Sequence, residues 1–130
     1  MPSPNDAWRA IERKLLNHWT DTPIAWPGVS FTPPNNAPWI RPTPMFGDGF
    51  MATHEKHSVV GMLQIDVFGP KGQGYGVLRG HAEALRDLFA GQVVEGVRFG
   101  AAGGIVIGQD EAYAHVYVRI PFELDEARSL

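Results

Sequence analysis

The sequence lacks cysteine and any long apolar run, and each absence excludes a class of protein. Without cysteine the chain has no disulfide bonds, no zinc sites built on thiolates and no cysteine nucleophile. No apolar run approaches the ~18 residues of a membrane-spanning helix. The first residues, MPSPNDAWRA, lack the cationic start and apolar stretch of a signal peptide. We therefore expect a soluble protein that is made in a cytoplasm and has no membrane partner.

Positive charge is also scarce. The only lysines are Lys14, Lys56 and Lys71, and they are scattered, as are the arginines. The formal net charge is −3 at pH 7, with a pI near 5.9. A general nucleic-acid binder normally carries a basic excess or a basic stripe. The composition therefore argues against nucleic acid as a sequence-specific partner.

Apolar residues, proline and glycine are plentiful. Apolar residues make up 44% of the 130-residue chain, which is enough to bury one core. The 11 prolines and 15 glycines cluster mainly in residues 23–49 and 69–80. This composition predicts a single domain over residues 1–130, with residues 1–4 and 124–130 frayed at its ends.

Two segments show the apolar spacing of helices. Residues 5–19 and 75–90 each carry one apolar stripe, and Ser3 or Asn5 can cap the first helix. Gly91 is a natural stop for the second helix. The predicted stripe residues are Trp8, Ile11, Leu15 and Trp19, with Ala7 and Leu16 beside them, and then Leu78, Ala82, Leu85, Leu88 and Phe89.

Alternation of apolar and polar residues predicts strands over residues 58–68 and 113–122. Residues 39–46 read as an edge strand, because the prolines in WIRPTPMF cannot donate to a ladder. One further strand is predicted over residues 92–100, and a short one follows within residues 101–112. The order of elements predicts an α+β fold, in which two helices pack on one face of a mostly antiparallel mixed sheet.

The stretch QIDVFGPKGQGYGVLRG, residues 64–80, resembles the strand–turn–helix of nucleotide-binding proteins. Its glycines follow G-x-G-x-x-x-G, one residue away from the dinucleotide fingerprint G-x-G-x-x-G. Lys71 is not followed by the serine or threonine of a P-loop. The favoured interpretation is that glycine gives the crossover backbone freedom. A second interpretation is that the glycines let a partner's carboxylate or backbone approach this loop closely.

No set of side chains forms a catalytic or metal-binding constellation. His54, Glu55 and His57 are one residue short of H-E-x-x-H. His115 is interpreted as a half-exposed histidine on a polar strand face. Asp66 is interpreted as a carboxylate that pairs with an arginine across the sheet or across an interface. We expect no enzyme activity, no metal and no cofactor.

Aromatic and methionine side chains lie in segments that lack a regular pattern. A loop that buries such residues must also satisfy its backbone, and these residue types are enriched at protein interfaces. For Trp39 and Phe46 a core position and an interface position are both open. Phe50 and Met51 are better explained by an interface or a mobile tip. The residues concerned are Trp26, Phe31, Trp39, Met45, Phe46, Phe50 and Met51.

Three further segments carry a resemblance to a known family. They are PWIR (residues 38–41), QIDVFGPKGQG (64–74) and the helix AEALRDLF (82–89), between a short N-terminal helix and a final alternating strand. Over residues 5–123 the chain resembles the phage tail terminator-like family, the tail-completion proteins of siphophages and gene transfer agents. None of these segments is a catalytic signature.

The resemblance implies a ring, typically a hexamer, that caps the tail tube and offers a surface to head-completion proteins. The implied partners are other copies of the chain, the major tail tube protein and neck proteins. The implied location is the head–tail junction of the virion, after assembly in the host cytoplasm. The alternatives are another head–tail joining protein or, less favoured, a small nucleotide-binding module.

The family carries no motif that assigns contact residues, so their choice is a hypothesis. Trp39 and Arg41 of the edge strand, with Arg119 as a possible partner, are the candidates for contacts between subunits. The loop from Phe46 to His57 is the candidate for tube or neck contacts. Within that loop the candidate residues are Phe46, Asp48, Phe50, Met51, His54 and His57.

Overall fold

The computed structural model describes residues 3–46 and 58–125 of the chain. Two helices and six strands follow one another in a mixed order. They are α1 (Pro4–His18), β1 (Trp39–Phe46), β2 (Ser58–Gly69), α2 (Gly76–Phe89), β3 (Val93–Val94), β4 (Val97–Phe99), β5 (Val106–Ile107) and β6 (Ala114–Asp125). Neither helix of the described residues has the length and apolar composition needed to cross a bilayer.

The strands form one sheet in the order β1-β2-β6-β4-β3, with β5 also paired to β6. All pairs of named strands are antiparallel. A single parallel bridge joins Ile24 to Ile40 of β1. The predicted α+β fold is therefore confirmed. The proline-rich connection between α1 and β1, residues 20–38, pairs with the sheet through this one bridge.

Helix α1 begins with a capping box. The Ser3 hydroxyl accepts a hydrogen bond from the Asp6 N–H at 3.3 Å, and the Asp6 carboxylate accepts from the Ser3 N–H at 2.8 Å. Ser3, and not Asn5, is thus the cap. Leu16, which was predicted beside the apolar stripe, is 64% exposed, because the buried face is centred on Ile11 and Leu15.

The core lies between the two helices and one face of the sheet. The helices contribute buried residues at helical spacing, and the long strands contribute alternate residues, as the pattern predicts. The strand residues that share this face are Leu63, Ile65 and Val67 of β2 and Ala114, Val116, Val118, Ile120 and Phe122 of β6. Both helices therefore pack on the same face, and β2 and β6 turn their other residues to the opposite face.

The β1 edge is closed to further strands by its prolines. The Ile40 N–H donates to Pro23 O at 3.1 Å and its carbonyl accepts from Ala25 N at 2.7 Å, so these groups point away from β2. Pro42 and Pro44 occupy the next two positions with the same outward orientation. They lack the N–H that an added strand would need, while the ladder to β2 loses nothing.

The segment predicted as one strand over residues 92–100 is a tight hairpin, so that prediction was wrong. β3 and β4 pair with each other through a turn at Glu95 and Gly96. Both turn residues have positive φ, 49° and 86°, as a type I′ hairpin requires.

The last strand is longer than predicted. β6 continues to Asp125, and Leu124, within the tail predicted to fray, is buried.

Candidate functional site

The face of the sheet opposite the helices carries most of the described polar and aromatic side chains that the sequence singled out. We call it the open face. Its rows follow from the strand register, which aligns Trp39, Phe68 and His115, then Arg41, Asp66 and Tyr117, then Thr43, Gln64 and Arg119, and finally Met45, Met62 and Pro121. The open face therefore has an aromatic end, a polar centre and an apolar end.

The aromatic end is covered by the proline-rich connection. Trp39 is 3% exposed, and its ring stacks on Phe68 with centroids 4.3 Å apart. Phe31 and Tyr113 contact the same indole at 5.1 and 5.5 Å. Trp39, for which core and interface positions were both open, is therefore buried within its own subunit. Its ring surface is occupied by these contacts within the subunit.

A chain of hydrogen bonds crosses the polar centre. The Arg119 Nε donates to Gln64 Oε1 at 2.8 Å, and the Gln64 Nε2 donates to Asp66 Oδ1 at 2.9 Å. His115 Nε2 lies 2.7 Å from the same Asp66 oxygen. The His115 ring also stacks on Phe68, with centroids 4.5 Å apart. These contacts join β2 and β6 across the open face of the sheet.

Two predictions about this network were wrong. Asp66 was expected to pair with an arginine across the sheet or across an interface; within the subunit its carboxylate instead meets His115 and Gln64. His115 was expected to be half-exposed, yet its side chain is only 13% exposed. The reason is Arg41, which is in register with Asp66 but turns its guanidinium over the rings of Trp39 and Phe68. Because the rings of Trp39 and Phe68 hold the Arg41 guanidinium, the Asp66 carboxyl group pairs with His115 instead.

Two guanidinium groups stand on the open face without an acidic partner among the described residues. Arg41 lies 5.3 Å from the centroid of Trp39 and 5.5 Å from that of Phe68. Arg119 lies 5.1 Å from the centroid of Tyr117, and its hydrogen-bond partner Gln64 is neutral. Cation–π contacts of this kind hold the cation in place and leave its charge available. Both arginines thus stand on the open face of a chain whose formal net charge is −3.

The apolar end opens into a groove of about 780 Å³. Met45, 37% exposed, lies beside Met62 and Pro121 on its wall. Phe46, the last residue of β1, is half-buried and packs edge-on against Phe122 at 5.6 Å. Phe46 is therefore partly a core residue and partly the wall of a groove. The remaining candidates of that loop, Asp48, Phe50, Met51, His54 and His57, lie outside the described residues.

The glycine-rich stretch has the backbone role that was favoured for it. Gly72 and Gly74 adopt positive φ of 85° and 76°, which L side chains rarely adopt. The loop faces the turn between β5 and β6 across a second groove, of about 600 Å³. There Asp110 accepts hydrogen bonds from the N–H groups of Ala112 and Tyr113, which lower the pKa of its carboxyl group.

Within residues 3–46 and 58–125 no group of three or more histidine, cysteine, aspartate or glutamate side chains is arranged to hold a metal ion. His81 packs edge-on against Trp19, whereas Glu83, two residues later, is exposed. The strongest feature that sequence reasoning missed is the His115–Asp66 pair, which the register of two long strands would have indicated.

Comparisons with known proteins identify a family for this chain and a solved structure with the same fold. A family model described as "Phage tail terminator protein" matches residues 6–121. No curated protein matches the chain. One solved structure superposes with a TM-score of 0.70 and 19% sequence identity, and the match covers 100% of each chain. Identity this low shows a shared fold and carries no statement about function.

Proposed function

Because the chain belongs to the phage tail terminator protein family, we propose that it forms a ring that caps the end of a tail tube. The family supports a structural role in the phage tail and makes the chain a component of the virion. We propose a finer role: the protein closes the tube and offers a joining surface to head-completion proteins. The open face, with its two exposed guanidinium groups, is the observation on which it depends.

A ring needs two different surfaces on each subunit. In a closed ring of identical subunits the contact is heterologous, so one surface of a subunit meets another surface of the next. The two surfaces proposed for this contact are the helix side of the sheet and the polar open face. A specific contact buries at least ~1,000 Å² in total.

The candidate contacts are divided between two regions. Arg41 and Arg119 are proposed to meet the neighbouring subunit, with Trp39 holding Arg41 in place. The segment that begins at Phe46 is proposed to meet the tube or the neck. Strand addition at β1 is not the proposed mode, because Pro42 and Pro44 remove the donors it would use.

The experiment is a capping assay on purified tail tubes. The wild-type protein should bind tube ends, stop further tube growth and be seen as a ring by electron microscopy. Deletion of the gene should yield tails of irregular length. Arg41→Glu should reduce capping while circular dichroism shows that the protein is still folded. Arg9→Glu, which reverses an exposed arginine on α1, is the matched control and should cap normally.

Two results would count against the proposal. Normal shafts after deletion of the gene would show that tube termination does not need this protein. Binding to portal-side proteins, with no binding to tube ends, would instead assign it to the neck. Unchanged capping by Arg41→Glu would reject the residue assignment and leave the ring in place.

A further inference from the structure

We infer that the open face of one subunit receives the outer face of helix α2 of the next copy. This inference rests on the proposed ring and names the two surfaces that would meet in it. The outer face of α2 is the side turned away from the sheet, and we define it by Val77, Gly80, Glu83, Ala84 and Asp87, all exposed. It is a different patch of the molecule from the open face, as a heterologous contact requires.

The outer face of α2 carries two exposed carboxylates that can meet the two guanidinium groups of the open face. Glu83 and Asp87 are four residues apart, so they lie one turn apart on the same side of the helix. Like charges at this spacing destabilise an isolated helix. Glu83 has no basic partner among the described residues, and Asp87 meets only the adjacent Arg86, at 3.5 Å. This acidic pair complements the two guanidinium groups of Arg41 and Arg119 across a contact.

The other acidic groups of the described chain are less suited to meet the open face. Asp6 belongs to the capping box, and Asp110 accepts two backbone N–H groups. Glu95 pairs with Arg13, and Glu123 pairs with Arg98. Glu12, Asp21 and Glu111 are single groups on separate parts of the surface. Glu83 and Asp87 are two exposed carboxylates on one side of a single helix.

Gly80 supplies an independent reason for a contact at this place. It lies within α2, where glycine is unfavourable compared with alanine. A Cβ added at Gly80 would meet nothing within 4 Å, and its φ is not in the left-handed region. Neither packing nor backbone conformation within the subunit therefore explains this glycine. A neighbouring surface that approaches the helix closely does explain it, as glycine permits close approach of a backbone.

The first experiment uses the absence of cysteine from the chain. Thr43→Cys on the open face and Ala84→Cys on α2 leave all four charges in place. Wild-type and variant proteins are bound to purified tail tubes, oxidised and run on a non-reducing gel. The double variant should give a ladder that extends beyond the dimer, because each contact joins one copy to the next. Each single variant should give no species larger than a dimer.

The second experiment separates folding from assembly. Gly80→Gln should raise the melting temperature by about 3 °C, because it removes an unfavourable helical glycine. The same variant should cap tubes on the order of tenfold less well, because the added side chain stands in the contact. Asn17→Gln, on the exposed side of α1, is the control and should change neither quantity.

The outcomes distinguish this inference from the ring itself. If wild type caps tubes but the double cysteine variant gives only dimers, the two surfaces do not meet and the inference is overturned. Normal capping by Gly80→Gln would overturn it as well. If wild type does not cap tubes at all, the proposed function fails first. A ladder in the double variant together with loss of capping in Gly80→Gln supports the inference.

Discussion

Gly108 lies against the imidazole of His115, and Gly108→Ala is expected to disrupt the polar centre of the open face. A Cβ at this position would lie 2.0 Å from His115 Nδ1 and 2.5 Å from its Cε1. Ordinary contacts begin near ~3.5 Å, so one of the two groups must move by about 1.5 Å. The backbone of Gly108 is itself held, because its N–H donates to His115 O at 2.9 Å.

Either movement has a definite cost. If the ring moves, it loses the 2.7 Å contact with Asp66 and the stacking on Phe68. If β5 moves, it loses the hydrogen bond between Gly108 and His115. Loss of one such bond costs about 1–2 kcal/mol, and overpacking costs are of similar size. We therefore expect a loss of about 2 kcal/mol, or a melting temperature lower by about 6 °C.

The assay is thermal unfolding followed by far-UV circular dichroism at equal protein concentrations. Gly104→Ala, four residues earlier, is the matched control, because its added Cβ would meet nothing within 4 Å. A double-mutant cycle with His115→Ala isolates the contact. The penalty of Gly108→Ala should largely disappear when the imidazole is absent. Equal melting temperatures for Gly108→Ala, Gly104→Ala and wild type would refute the reasoning, as would an undiminished penalty in the His115→Ala background.

Three further predictions concern stability. Ser3→Ala removes the capping box and should cost about 1 kcal/mol, whereas Asn5→Ala should cost little; equal losses in denaturant unfolding would contradict the assignment of the cap. Leu15→Ala should cost about 2–5 kcal/mol because this side chain is fully buried, and its exposed neighbour Leu16→Ala should stay within about 0.5 kcal/mol in the same measurement. The lowered pKa of Asp110 means that its ionised form stabilises the fold above the ordinary value of 3.8, and that this contribution is lost as pH falls through the folded-state pKa. Asp110→Asn should therefore lower the melting temperature at neutral pH, and its difference from wild type should shrink in acid; a difference that is constant with pH would count against this account.

Local patterns predicted the elements that depend on local geometry. The spacing of Ile11 and Leu15 placed the buried face of α1, and alternation placed the buried residues of β2 and β6. Both patterns reflect backbone periods of 3.6 and 2.0 residues, which do not depend on what the element packs against. The structure of residues 92–100 was harder to predict, because β3 has only two residues, too few to show an alternating pattern.

The candidate site was harder to predict, because its partners are distant in the chain. The sequence named Trp39, Arg41, Asp66, His115 and Arg119 separately. It gave no means to see that the strand register places them on one face. The expected arginine partner of Asp66 was wrong because cation–π contacts compete for Arg41, and that competition exists only when three strands lie side by side.

The sequence by itself determined the single apolar core, the two helical faces, the alternation of the long strands and the absence of thiol chemistry. Composition and short-range periodicity carry this information, because each residue's preference is expressed within a few neighbours along the chain. Only the tertiary structure decided that Trp39 is buried, that His115 pairs with Asp66, and that two guanidinium groups stand on the side opposite the helices. These outcomes depend on strand register and on what the proline-rich connection covers, and both are set by contacts between residues far apart in the chain.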